Sequence, residues 1–128
     1  MTPGQAFDFK RKNFLEKTLS NFYFLVSEFG YNEPSHKFWQ QDNGSITRDE
    51  FRYENLIADR GICIVNAYHP VDYGFEINFY KPSDKTARRT EEMVYYVLKE
   101  DQDIEQSYLE QAAKTLKSNF FPVIKGQE

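Results

Sequence analysis

The chain has 128 residues, 40% of them hydrophobic and 28% charged, with a mean hydropathy of -0.73 and a formal net charge of -4. That length suits a single domain, residues 1–128, whose core needs no disulfide or metal staple. The acidic balance (pI about 5.3) speaks against generic nucleic-acid binding, which needs clustered Lys and Arg. No apolar run approaches the roughly 20 residues of a membrane-spanning helix.

Met1 to Gln5 is short and polar. Lys10, Arg11 and Lys12 are followed by Glu16, Lys17 and Asn21 where an export signal would place its apolar core. Cys63 is the only cysteine, so no internal disulfide is possible, and a reducing, cytoplasmic location is expected.

Leu15, Leu19, Phe22, Val26 and Phe29 recur at helical steps, with Phe14 and Leu25 widening the stripe, and predict a helix over 7–29. Gly30 suits the left-handed residue that ends it, with Tyr31 packing back on the last turn. Residues 32–36 read as a loop around Pro34. Phe38 and Trp39 open a short strand that ends at Asp42-Asn43-Gly44, a strong hairpin signal. In the next strand, 46–56, Phe51 and Tyr53 share one face and Arg52 and Glu54 the other. Residues 58–61 turn the chain. Ile62 to Tyr68 is apolar on both faces, which predicts a central strand. After a turn at 69–74, Phe75, Ile77 and Phe79 alternate with Glu76, Asn78 and Tyr80, predicting one buried and one wet face.

Residues 86–100 are read as a helix on the stripe Ala87, Thr90, Val94, Val97 and Leu98, capped by Asp84, although Met93 to Leu98 is equally β-prone. Asp103 with Gln106 fits a reciprocal helix cap. Leu109, Ala112, Ala113, Leu116 and Phe120 then carry a C-terminal helix up to Pro122. The expected architecture is α+β: an N-terminal helix, an antiparallel meander of about four strands, and C-terminal helices packed on one face of the sheet.

Motifs for catalysis, metals and cofactors are missing. His69 and Asp72 could contribute two metal ligands, but a site needs three or four and the other histidine, His36, lies in a distant loop. Cys63 sits mid-strand between Ile62 and Ile64, the setting of a small buried hydrophobe and not of an activated nucleophile. Glu54 with Asp59 or Glu76 has no spacing that sets it apart from solvated strand residues. The glycines are too scattered for a phosphate loop, and Arg88-Arg89 reads as helix surface. Catalytic, cofactor-binding and metal residues are therefore assigned to none, and no cofactor is expected.

Charge offers one lead. Residues 36–80 hold seven acids against four bases, a net of -3, while residues 1–35 balance at four of each. Tyrosine is favoured at interfaces, and Tyr53, Tyr68, Tyr73 and Tyr80 lie among those acids. One reading is an acidic, Tyr-bearing binding face, with Asp42, Asp49, Glu50, Glu54, Asp59, Asp72, Tyr73 and Glu76 as contact candidates on the wet side of the sheet and its loops; the other is that half of these tyrosines cover the sheet beneath the helices.

The order of elements also carries a resemblance. A helix ending in "EFGY", the aromatic run "FRYENLIADRGICIVNAY" leading to "GFEINFYKP", and the helix "LEQAAKTLKSNF" followed by a late Gly resemble small bacterial α/β immunity proteins of contact-dependent inhibition and other polymorphic toxin systems. The likeness spans most of the chain and implies a cytoplasmic protein that binds and neutralises a cognate toxin. Those families share no functional motif, so it assigns no residue a role. The expectation is a non-enzymatic binder of a basic protein partner such as a toxin domain, with no nucleic acid and no membrane. Two alternatives stand beside it: a small-ligand binder or enzyme with a cystatin-like pocket between sheet and helices, and a structural or adaptor module that self-assembles through a sheet edge or the N-terminal helix.

Overall fold

A computed structural model describes residues 1–69, 74–85 and 91–126. The first helix, α1 (Pro3–Asn21), starts ahead of the predicted boundary because Thr2 and Gln5 close a capping box. Thr2 Oγ1 accepts from the Gln5 amide at 3.1 Å, and the Thr2 amide donates to Gln5 Oε1 at 2.9 Å. Pro3 supplies the preset φ of a first helical position. The predicted single helix over 7–29 is in fact two. Phe22 leaves helical geometry (φ -101°, ψ 8°), and a short α2 (Phe24–Ser27) follows. Gly30 takes the left-handed conformation (φ 77°), and the Tyr31 amide reaches back to the Leu25 carbonyl at 3.0 Å. The buried stripe is Phe14, Thr18, Phe22 and Leu25, with Leu15, Val26 and Phe29 at its margin and Leu19 exposed. It is turned by about one residue from the expected one.

Five antiparallel strands follow in simple meander order: β1 (Ser35–Gln40), β2 (Ile46–Asn55), β3 (Arg60–Ala67), β4 (Gly74–Tyr80) and β5 (Glu92–Leu98). The expected loop at 32–36 gives way to β1 at Ser35. The apolar β3 is central, as its two hydrophobic faces demand. β5 corrects the predicted helix over 86–100, of which residues 86–90 lie outside the described residues. Tyr95 and Val97 stand opposite Ile77 and Phe75, and a register irregularity at Ile77/Asn78 lets Val94 pack against the core as well. Strand pairing thus captures the apolar groups whose spacing imitates a helical stripe. The turn at 69–74 lies largely outside the described residues.

A 3₁₀ turn (Lys99–Asp101) leads to α3 (Tyr108–Asn119), which buries Leu109, Ala112, Ala113 and Leu116 as predicted. Asp103 accepts from the Ser107 amide and hydroxyl at 2.9 and 2.5 Å, in place of the expected pairing with the Gln106 backbone. Gln106 is left-handed (φ 57°) and its side chain donates to the Asp103 carbonyl. Pro122 does not end a helix; it sits in the first turn of a short α4 (Phe121–Ile124).

Among the described residues, helices cover one face of the sheet. Phe14, Phe22, Leu25 and the α3 stripe pack on Phe51, Tyr53, Ile62, Ile64, Phe75, Ile77 and Phe79. Tyr31 closes this core at one end, its hydroxyl donating to the Ile124 carbonyl at 2.8 Å. No helix among the described residues is long and apolar enough to cross a membrane.

Candidate interaction face

Strand parity assigns the second sheet face. Opposite the helices, the paired rows carry Lys37 and Trp39 on β1, Arg48, Glu50, Arg52 and Glu54 on β2, Gly61, Cys63, Val65 and Ala67 on β3, Glu76, Asn78 and Tyr80 on β4, and Met93 and Tyr96 on β5. No described helix covers it. The central strand offers only small side chains here, so the long side chains of its neighbours fold inward over them. Cys63, Val65 and Tyr80 form a second buried cluster in this way. The expected wet side of β4 is accordingly dry at Tyr80 and nearly so at Asn78.

The folding-over is organised by charge. Glu50 is buried and receives Arg52 at 2.9 and 3.2 Å through Nε and Nη2, with Arg48 at 3.4 Å. Arg48 stands 5.0 Å over the ring of Trp39 and Arg52 stands 4.7 Å over that of Tyr80. Arg52 also reaches Glu91 at 3.0 Å, and the Tyr80 hydroxyl donates to Glu54 at 2.7 Å. Burial works to raise the Glu50 carboxyl, but the hydrogen bonds and charge of Arg52 outweigh it and hold the group below its ordinary value. Burial, followed by the charge of Glu50, pushes the Cys63 thiol well up, which leaves it a poor nucleophile.

Around this tied centre lie large apolar groups in contact with water. Trp39 is 42% exposed, Met93 51% and Tyr96 57%. Reading 86–100 as a helix hid Met93 and Tyr96 as face residues. Their parity with Glu76 and Asn78 becomes visible only once β5 is paired with β4.

Asp49 lies on the other side. It shares parity with Phe51 and Tyr53, is fully buried, and joins four elements of the fold. Arg11 of α1 grips both oxygens at 2.8 and 2.9 Å, His36 Nε2 of β1 lies 2.9 Å from Oδ1, and the Tyr68 hydroxyl just past β3 donates to Oδ2 at 2.8 Å. Burial raises this carboxyl too, but the hydrogen bonds from Arg11, His36 and Tyr68 hold it below its ordinary value. With each oxygen receiving two partners and the charge firmly held, Asp49 is placed as a clasp between helix and sheet. A general base needs a free lone pair and a pKa near the working pH.

The remaining candidates are dispersed. Asp42 is exposed in the β1–β2 turn, and Glu76 is half-buried on the open face. Asp59 holds the Ser83 amide and hydroxyl at 2.9 and 2.6 Å, which lowers its pKa. Asp72 and Tyr73 lie outside the described residues, as do Arg88 and Arg89. The structure therefore places Glu50, Glu54 and Glu76 on one face and separates Asp49 from them. No group of three or more His, Cys, Asp or Glu among the described residues is arranged to hold a metal.

The space between helices and sheet is filled by the Phe-rich core, and the described clefts lie at the rim. One of 580 Å³ opens between Pro3, Gly4 and Phe7 of α1, the β1–β2 turn, and Tyr68 with His69. The Tyr68 hydroxyl at its border is already spent on Asp49. No family model, curated protein or solved structure matches this chain.

Proposed function

We propose that this chain is a non-enzymatic protein-binding module that neutralises a toxin-like partner, in the manner of an immunity protein, and that it seats the partner on its open sheet face. The observation that carries the reading is the pattern of that face: exposed Trp39, Met93 and Tyr96 around a centre held rigid by Arg48, Glu50, Arg52 and Tyr80. Rigid aromatic anchors beside ordered charges are what a protein interface uses, because little side-chain entropy is lost on binding. On the face, Glu50, Glu54, Glu76 and Glu91 stand against Lys37, Arg48 and Arg52, a net of -1, within a chain of net -4. A basic partner fits that sign, and steering speeds its approach.

The test is capture of interacting proteins with tagged wild-type chain and with a Trp39→Ser/Tyr96→Ser double variant, then growth assays on whatever is captured. The partner expressed alone should arrest growth; the wild-type chain should relieve the arrest and the variant should not. A partner held equally by the variant overturns the face. A partner with no effect on growth overturns the neutralising role.

A further inference from the structure

β1 is a terminal strand of the sheet, and among the described residues it pairs with β2 on one side only. All six of its residues are exposed. They include His36 and Phe38, whose parity puts them on the helix-bearing face, so the helical layer stops short of this edge and leaves room beside it. Phe38 is 52% exposed there. A bare edge presents unpaired N–H and C=O groups to any strand that can align with it.

The sequence of β1 selects its own copy. A twofold axis normal to a sheet makes two copies of one strand antiparallel and sets same-face residues opposite each other, so the axis must pass through a residue. An axis at Lys37 would set two ammonium groups directly opposite, which is unfavourable. An axis at Trp39 would run into the register irregularity between Trp39 and Gln40. An axis at Phe38 keeps the ammonium groups apart and moves the irregularity to the two ends of the paired segment, where His36 faces Gln40 of the second copy. It sets Phe38 against Phe38 of the second copy, and Lys37 against Trp39 of the second copy, a cation–aromatic match, twice over. The Arg11 guanidinium 5.5 Å over each Phe38 ring is already neutralised by Asp49, which limits repulsion across the axis.

We infer that the free edge of β1 is a self-association site, which takes a second copy of this chain in antiparallel register about Phe38 and joins two five-stranded sheets with both helical layers on one side. The association is read at Phe38 on the helix-bearing face, whereas the partner reading rests on the open face; Trp39 is shared by both, so a loss of dimer in Phe38→Lys tests the association alone and leaves the partner reading standing.

The experiment is oxidative cross-linking of three variants, Phe38→Cys, Lys37→Cys and Trp39→Cys, with sedimentation of the wild-type chain. In the proposed register the Phe38 positions lie about 4.5–5.5 Å apart between Cα atoms, inside disulfide range. Like positions at 37 or 39 are diagonal neighbours, roughly 7–8 Å apart and beyond it. Cys63 is fully buried and does not compete. Phe38→Cys should become a covalent dimer and the other two should remain monomers. The wild-type chain should show a concentration-dependent dimer, weakened at least about tenfold by Phe38→Lys, which puts like charges on the axis. A wild-type chain monomeric at millimolar concentration overturns the proposal. So does equal cross-linking of the three variants, or a maximum at position 37 or 39.

Discussion

The ring of Tyr80 occupies the volume a side chain on Gly61 would need: a β-carbon there would lie 2.3 Å from Cζ. The two residues face each other across β3 and β4, and the ring is held from above by Arg52 and at its hydroxyl by Glu54. Gly61 is thus required by a close approach on an otherwise ordinary strand. The ring in turn shields β3 where no described helix does.

Gly61→Ala should therefore destabilise the fold by about 1–3 kcal/mol, the usual cost of overpacking a site that cannot relax freely. Tyr80→Ala in the same chain should remove most of that penalty, because both changes act on one contact. Urea denaturation of the two single variants and the double variant measures the coupling. Strictly additive losses would mean that the ring is not what excludes the methyl group.

Asp49→Asn should cost about 3 kcal/mol, the low end for breaking a buried ion pair. The low end applies because the Arg11 and His36 side chains are 24% and 32% exposed and can turn to water, while that of Asp49 is 0% exposed. The amide also presents a donor where Arg11 or Tyr68 donates already. Arg11→Met should cost at least as much, since it strands a carboxylate in the interior. A loss below about 1 kcal/mol in Asp49→Asn would remove the clasp from the stability of the fold.

Much of this architecture was legible. Phe51 and Tyr53 against Arg52 and Glu54, the Asn43-Gly44 turn, the doubly apolar β3 and the α3 stripe all obey simple periods, and burial acts on those periods directly. β5 was not, because Val94, Val97 and Leu98 satisfy helical spacing as well as strand spacing, and only a neighbouring strand decides between them. Thr18 is buried and the more hydrophobic Leu19 exposed, because position on the helix outranks hydrophobicity in deciding which residue meets the sheet. The clasp had a signal that went unused: Asp49 has the parity of Phe51 and Tyr53, which places an acid among core residues and implies a buried cation. Glu50 could be placed only with β3 in view, since its burial depends on Cys63 and Val65 being small enough for Arg48 and Arg52 to close over them.

Acid should destabilise the protein through Asp49 and Glu50 together. Both carboxyls are held below their ordinary values in the folded chain. Such groups contribute stability that is fully present above the unfolded-state pKa, about 4, and is lost as pH falls through the lower folded-state values. Melting temperature should be flat from neutral pH to about pH 5 and fall steeply below about pH 4. Asp49→Asn should be less stable at neutral pH and show a shallower acid limb. An unchanged slope in that variant would assign acid sensitivity to other groups.

Binding of a basic partner should depend on charges that the fold does not itself consume. Glu50 and Asp49 are spent on Arg52, Arg48, Arg11 and His36, so reversing either would test folding and not recognition. Asp42 and Glu76 take part in no ion pair with another described residue, and Glu76 lies on the open face beside Tyr96. Asp42→Lys with Glu76→Lys changes the net charge from -4 to 0, which abolishes the sign that would steer a cation. The association rate, followed by stopped flow with the captured partner, should fall about tenfold at low salt. Wild type and variant should converge as salt rises and screening shortens the reach to about 8 Å near 0.15 M. The dissociation rate should change less, because neither side chain belongs to the tied centre of Arg48, Glu50, Arg52 and Tyr80. An association rate equal to wild type at low salt would show that the partner approaches the molecule from another side.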